Sequence, residues 1–395
     1  PTRAESAGAH WVDPVLVAEV RFTEWTDEGR LRHPSFEGLR EDKPADSVRI
    51  ERVSGSRPVH AREIAAEEPL ESEVKPRVPR RRASKVESAA VTRKAGTSRS
   101  RKEMDVRDEV RGVLITHAER EVYAGEGLTK GDLARYYDAV AELMLPHVKD
   151  RPLSTVRCPS GNRGTCFFQK HMSTTFAEPV KSVRVRESND TEAEYISINT
   201  AEGLITLVQF GVLEVHPWGA VHGDPEHADR VVFDLDPGEG VSFDVVKRAA
   251  TDVRDRLRRH SLESFLKTSG GKGLHVVAPV HRSTTWEHCK SFAARIAREM
   301  AGEQPDRYVA KSTKSIRRGK IFVDYLRNGR GATSVAPYST RARPGAPVSM
   351  PIPWHALGKL QSASQYTLLT VPSAVGRRNV DPWEGFTFSA RLPSV

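Results

Sequence analysis

Cysteine is scarce in this chain, with three in 395 residues: Cys158, Cys166 and Cys289. Three thiols cannot build a disulfide framework, and none stands in a C-x-x-C pair. The spacing therefore writes no zinc site, and the usage suits a reducing cytoplasm. Long apolar runs are also missing. The longest, such as Leu204–Val208 and His275–Val280, fall far short of the ~20 residues that cross a bilayer, so no membrane partner is expected. The chain opens Pro1-Thr2-Arg3-Ala4-Glu5 without Met or an apolar h-region, which is the pattern expected of a fragment. No Ser–His or Cys–His arrangement points to a covalent nucleophile, and His260, His281 and His288 read as surface or packing residues.

Charge, by contrast, is plentiful. Lys and Arg number 61 against 52 Asp and Glu, a net charge of +9 that invites a polyanion, nucleic acid first. The excess is local: between Lys75 and Lys102 there are eleven basic residues and one acid, Glu87. Composition divides the chain into three zones. Residues 1–45 hold a β-rich stretch, Val15–Phe22, a turn at Asp27-Glu28-Gly29 and a return over Arg30–Phe36. Residues 46–108 are poor in large apolar groups and cannot offset chain entropy, so a disordered basic linker is expected there. It could hold DNA without specificity or serve as a solubilising spacer. Residues 109–395 carry nearly all the periodic patterns and should form the main domain.

Within that domain Thr129-Lys130-Gly131-Asp132 is a capping-box start, followed by Leu133, Tyr136, Tyr137, Val140, Leu143 and Met144 at helical spacing until Pro146. Val231–Leu235 reads as a buried strand stopped by Asp236-Pro237-Gly238, and Ser242 opens a helix running to about His260. Phe265–Thr268 and Leu274–Pro279 are strands around a glycine-rich turn. Thr285 begins a helix through Met300, and Ile321–Tyr325 is another strand. Brief strands alternating with helices predict an α+β fold, a mixed sheet covered on one side by helices.

Asp234-Leu235-Asp236 places two carboxylates on one face of a strand end. Like charges that close are relieved by a divalent cation, and oxygen ligands favour Mg²⁺ or Mn²⁺ over zinc. A solvated strand end gives the same pattern, and so do nucleotide-sugar transferases. Ser269-Gly270-Gly271-Lys272-Gly273-Leu274-His275 adds backbone N–H groups, a hydroxyl, an ammonium and an imidazole in one small space, which suits a triphosphate. It lacks the GxxxxGK[ST] spacing of a Walker loop. Asp324 interrupts the apolar strand Ile321–Tyr325, and a buried charge there needs a cation or partner. Together the three Asp describe a two-metal phosphoryl-transfer site.

Asp234–Gly238, Ser269–His275 and Lys320–Thr333 resemble motifs I, II and III of the archaeo-eukaryotic primase superfamily. More specifically, they are similar to the polymerase domain of bacterial ATP-dependent DNA ligase D. Leu128–Leu133, Arg151-Pro152-Leu153, Val156-Arg157-Cys158-Pro159, Phe167–His171, Leu213–Trp218 and Pro337–Arg343 extend the likeness from about Val113 to the C-terminus. The resemblance implies a primase-polymerase-like fold of mixed sheets and flanking helices, and NTP or dNTP addition to a 3′-OH in non-homologous end joining. It assigns Asp234, Asp236 and Asp324 to two ions, Mn²⁺ or Mg²⁺. Ser269, Lys272, His275, Arg341, Arg327, His216 and Lys170 would bind nucleotide. Arg120, Lys130, Phe167, Phe168 and Arg157 would bind DNA.

Phe167 and Phe168 should include one exposed ring, because neighbours on a strand cannot both face inward. Lys130, at an open helix N-terminus, and Arg120 ten residues earlier match readers of a 5′-phosphate. His117 and Glu121 depart from the family pattern there, and Glu121 could weaken phosphate binding. The implied partners are double-stranded DNA ends or gaps, a bacterial Ku homodimer and a ligase domain, in a nucleoid-associated location. Trp11–Pro14, Val17–Thr26 and Leu31–Lys43 look like the end of a ligase OB domain, with Arg40, Asp42 and Lys43 on its last nucleotide motif. No KxDG occurs, so the chain is not expected to ligate alone.

Overall fold

Two units divide the chain, Pro1–Gly96 and Thr97–Val395. The computed structural model describes residues 17–21, 24–25, 31–32, 35–39, 108–187, 191–378 and 380–393. In the first unit lie β1 (Ala18–Arg21), β2 (Glu24–Trp25), β3 (Leu31–Arg32) and β4 (Ser35–Leu39). β1 pairs antiparallel with β4, and β2 with β3, in keeping with the expected strand and return. The Asp27-Glu28-Gly29 turn, Arg40, Asp42, Lys43 and the basic linker up to residue 107 lie outside the described residues.

The second unit opens with two hairpins, β5 (Asp108–Val110) with β6 (Val113–Ile115) and β7 (Glu121–Tyr123) with β8 (Leu128–Thr129). Helix α1 (Lys130–Val148) follows. Its capping box is formed: the Asp132 N–H donates to Thr129 Oγ1 at 3.1 Å, and the Thr129 N–H to Asp132 Oδ2 at 2.9 Å. The helix passes Pro146 instead of stopping there. A proline so near the end forfeits its own N–H bond, and too little helix follows for a kink to matter.

Five strands form the first sheet: β9 (Leu153–Arg157), β10 (Phe167–Gln169), β11 (Lys181–Arg186), β12 (Glu192–Ser197) and, after helix α2 (Ala201–Gln209), β13 (Val212–Pro217). β9 pairs β10, β12 and β13. The β9–β10 register sets Arg157 opposite Phe167, so the next residues outward, Cys158 and Cys166, meet with Cα atoms 4.3 Å apart and are disulfide-bonded. This corrects the expectation of unpaired thiols. Counting cysteines does not reveal a local bond that an antiparallel hairpin creates. Cys289 is free and buried.

The second sheet holds β14 (His227–Pro237), then, after helix α3 (Phe243–Arg259), β15 (Phe265–Thr268) and β16 (Leu274–Thr285). After helix α4 (Trp286–Glu303) come β17 (Tyr308–Val309), β18 (Ile321–Asp324) and β19 (Pro351–Ile352). Its order is β17-β18-β14-β16-β15-β19, antiparallel except for the parallel β17–β18 pair. The sheet is therefore mixed, as expected. β16 runs past Pro279 because an irregularity between Ala228 and Arg230 absorbs the break, and pairing resumes at Ala228 with Thr284. A last short helix, α5 (Val371–Gly376), precedes the C-terminal segment. No helix among the described residues is long and apolar enough to cross a membrane.

The two faces of β14 differ. Val231, Phe233 and Leu235 share one apolar cluster with Val246 and Val253 of α3 and Ala293 and Ile296 of α4. Val232, on the opposite face, packs with Val277 and Trp383. His147 meets Trp383 and Phe386 edge to face, at 5.2 and 5.7 Å between ring centres. Burial, aided by Arg230 and Arg151, pushes His147 down to about 3. The unfolded chain takes up a proton below its ordinary value near 6.5, while the folded chain refuses it until about 3. The stability present above pH 6.5 is thus lost as pH falls, by at most ~1.4 kcal/mol per unit from this group. Denaturant melts of wild type and His147→Phe at pH 8 and 4.5 should show the variant losing less on acidification.

Candidate active site

Register across the second sheet builds a row of polar side chains. Lys267 on β15 stands opposite His275 on β16, His275 opposite Asp234 on β14, and Asp234 opposite Asp324 on β18. Directly opposed residues are side-chain neighbours, and all four are buried. Asp236, two residues beyond Asp234, shares its face. Oxygen atoms of Asp234, Asp236 and Asp324 lie within 4.8 Å of one another.

Burial, then the charges of Asp234 and Asp324, push the Asp236 carboxyl up to about 6. Burial also raises Asp324, with the Arg327 guanidinium opposing. Burial acts the same way on Asp234, but His275, Arg327 and Lys267 outweigh it and hold that carboxyl well below its usual range. Arg327 Nε lies 3.2 Å from Asp324 and 3.6 Å from Asp234. Burial drops His275 to about 4, with Asp234 opposing. Lys267 Nζ is 3.0 Å from His275 Nδ1, and His275 Nε2 faces Asp234 Oδ1 at 3.3 Å. The hard, all-oxygen ligand set and the unrelieved repulsion on Asp236 fit a divalent cation.

The glycine-rich turn closes over this row. Ser269 Oγ donates to the Gly273 carbonyl at 2.8 Å and accepts from the Gly271 and Gly273 N–H groups at 3.2 Å each, so the hydroxyl organises the turn. A Cβ on Gly273 would sit 2.1 Å from the Leu235 carbonyl oxygen, and Gly270 has φ +65°. Neither position tolerates a side chain. Exposed Lys272 stands at the turn's tip.

A cavity of 740 Å³ gathers His216, Asp234, Asp236, Ser269, Lys272, His275, Arg327 and Arg341, within the ~300–1,000 Å³ usual for small-molecule sites. It also includes Arg317, Ser334 and Arg343, which sequence reasoning did not single out. They lie in loops without periodicity. Two further residues were missed, Lys267 and Glu214. Glu214 accepts from His216 Nε2 and Arg341 Nε, both at 2.8 Å, and from the Ala342 N–H at 2.7 Å. A signal existed for both, because each is a charge beside apolar strand neighbours, Leu266 for Lys267 and Leu213 and Val215 for Glu214, much as for Asp324. A second cavity of 520 Å³ between the β5–β6 hairpin and α2 contains none of these groups.

The remaining candidates lie outside the cavity. Phe167 and Phe168 are both exposed, at 42% and 70%, not one of the two. β10 is an edge strand of three residues, so neither ring is drawn into the core. Phe168 borders the cavity, its ring 5.7 Å from that of His216, and the Arg157 guanidinium lies 6.0 Å from the Phe167 ring. Lys170 pairs with Glu187 at 3.2 Å and is not brought into the cavity.

Lys130 is buried, its Nζ donating to the Thr116 carbonyl at 2.9 Å and to Gln209 Oε1 at 2.7 Å. The helix end is not the open anion site expected. The Lys130 and Gly131 N–H groups donate to the Arg120 and Ala118 carbonyls, both at 2.8 Å, because the preceding hairpin folds against them. Arg120 is exposed. The Glu121 carboxylate accepts from the Glu126 and Gly127 N–H groups at 2.9 and 2.7 Å, inside its own hairpin.

Comparison with known proteins gives concordant results. The family model described as LigD, primase-polymerase domain, matches residues 129–383, and that for the ATP dependent DNA ligase C terminal region matches residues 1–43. The multifunctional non-homologous end joining protein LigD of Pseudomonas aeruginosa is 35% identical over 388 residues, 98% of this chain and 42% of that protein. The Mycolicibacterium smegmatis protein of the same description is 35% identical over 244 residues, 61% of this chain and 32% of its own. The chain thus spans less than half the length of these relatives. A solved structure of the polymerase domain from Mycobacterium tuberculosis ligase D, in complex with DNA, superposes with a TM-score of 0.66 at 33% identity, covering 71% of this chain and 99% of that one. Because the primase-polymerase match takes in every strand that builds the carboxylate row and its cavity, the chain belongs to the LigD primase-polymerase family.

Proposed function

We propose that this chain is a template-directed nucleotidyltransferase, a primase-type polymerase that adds NTP or dNTP to a 3′-hydroxyl at DNA double-strand breaks, as the polymerase part of a larger end-joining ligase. The observation that carries the proposal is the cluster of three carboxylates, two of which, Asp234 and Asp236, line a cavity rimmed by Lys272, Arg317, Arg327, Arg341 and Arg343. Two divalent ions, Mn²⁺ or Mg²⁺, held by Asp234, Asp236 and Asp324 would supply charge neutralisation and acidify the attacking hydroxyl. The glycine turn, Lys272 and the arginines hold the triphosphate by charge-assisted hydrogen bonds. Phe168 offers a base a sequence-tolerant stacking face beside His216. Residues 109–395 are the catalytic domain, residues 1–45 the end of a ligase OB domain, and 46–108 a basic tether. The partners are broken or gapped DNA with a 5′-phosphate, a ligase domain and a bacterial Ku homodimer in the nucleoid.

Extension of a gapped, 5′-phosphorylated duplex with Mn²⁺ or Mg²⁺ tests this. Asp234→Asn and Asp236→Asn should each lose about 10³-fold or more, since several kcal/mol of charge stabilisation goes with each ligand. Wild-type rates in either variant would overturn the metal assignment, and DNA affinity without incorporation by wild type would favour an end-bridging role. Asp236→Asn should also melt higher than wild type at pH 8 without divalent ions. A folded value of about 6, above the ordinary 3.8, means that ionised Asp236 costs stability above pH 6, on the order of 1–3 kcal/mol.

At the phosphate end, Arg120→Ala should weaken binding to phosphorylated gaps roughly 5–10-fold more than to unphosphorylated ones, the scale of one charge-assisted contact. Lys130→Ala should in addition lower the melting temperature, because it strands Thr116 and Gln209 at a cost of ~1–3 kcal/mol. Equal losses on both substrates would show that neither residue reads the phosphate.

A further inference from the structure

We propose that Glu214 is the positioning residue of the nucleotide site, a buried carboxylate that fixes His216 as a hydrogen-bond acceptor for a ribose hydroxyl and aims Arg341 at the phosphates. The inference rests on the polymerase reading and goes deeper into the same cavity.

Glu214 and His216 are two residues apart on β13 and so share a face. Glu214 is 5% exposed and does not line the cavity, but its two side-chain partners do. Oε2 takes His216 Nε2 and Arg341 Nε, and Oε1 takes the Ala342 N–H. Both oxygens are thus spent on aiming other groups. Burial pushes this carboxyl up, but His216 and Arg341 outweigh it and hold it at about 2.

An ionised carboxylate can only accept, so the His216 proton sits on Nε2. Burial opposes a second proton on the ring. Nδ1 is left with a lone pair and, among the described residues, no partner. Such a nitrogen at a cavity wall attracts an O–H donor and repels a phosphate oxygen. Arg341 has the complementary role. Its Nε is held by Glu214 and its Nη1 by the Ser269 carbonyl at 2.5 Å, so the guanidinium plane is fixed beside the glycine turn. One carboxylate therefore orients a hydroxyl reader and an anion reader together.

The test is Glu214→Gln, which keeps the shape, removes the charge and lets the amide donate to His216. Steady-state extension with ATP and dATP, and binding of ATP, 2′-deoxy-ATP and 3′-deoxy-ATP, would be measured beside wild type. The expected result is a KM for ATP raised about 10-fold with kcat within about twofold, the pattern of lost binding. Discrimination against at least one deoxy analogue should fall, and His216→Ala should add nothing further to that fall. A merely structural role would lower the melting temperature and affect all three nucleotides alike, and that outcome overturns the proposal. ¹⁵N-histidine NMR of wild type, with His216 assigned by comparison with His216→Ala, needs no folded Glu214 variant. Protonated Nε2 with bare Nδ1 supports the proposal, and the opposite tautomer overturns it. Wild type that binds no nucleotide would remove the polymerase reading, whereas wild type that binds ATP while Glu214→Gln keeps its KM and discrimination would remove this inference alone.

Discussion

Three carboxylates within 4.8 Å of one another are a repulsion that the rest of the second sheet is arranged to contain. Asp234 and Asp324 are locked opposite each other by the β14–β18 pairing, and the pleat sets Asp236 on the same side. The charges cannot separate without breaking the strands that form the core. Relief inside the protein is partial: Arg327 bridges two of the three, and His275 offers a hydrogen bond with Lys267 behind it. The third, Asp236, is left with its carboxyl pushed up to about 6. Such a site costs stability and persists because the opposite face of the sheet is packed on α3 and α4.

The cavity draws on both sheets of the second unit. The carboxylate row and glycine turn come from β14, β16 and β18, while His216 comes from β13, with Phe168 of β10 beside it. Glu214 to Arg341 is one link between the sides, over 127 residues of sequence. Arg330 is another region of contact: it pairs with Glu226, donates to the Arg186 carbonyl and lies over the Trp218 ring. The basic rim and the aromatic wall are thus held on separate scaffolds, on two sides of the cavity.

Much of this was legible residue by residue. Asp324 stood out because a charge inside Ile-Phe-Val-Asp-Tyr demands a partner, and the capping box at Thr129 formed as written. Membership of the LigD primase-polymerase family sets aside the nucleotide-sugar transferase that Asp-x-Asp alone left open. Lys267 and Glu214 carry a similar signal to Asp324; Lys267 lies outside the quoted motifs, and Glu214, inside Leu213–Trp218, takes its importance from Arg341, a partner 127 residues away. Lys130 was placed on the right helix, but its ammonium turns inward to Gln209, a partner 79 residues away. The Cys158–Cys166 bond needed the β9–β10 register, which short strands with little alternation do not announce.

The sequence by itself determined the element types around the site, the α+β class, the three carboxylates and the glycine turn. Each is a local matter of side-chain spacing, capping or backbone freedom. Only the tertiary structure decided which charges face one another, which are spent as internal hydrogen bonds and which remain for a ligand. Register and burial set those outcomes. A shift of one residue would turn Asp234 to the helices, and the same lysine is a phosphate binder or a buried strut according to what packs around it.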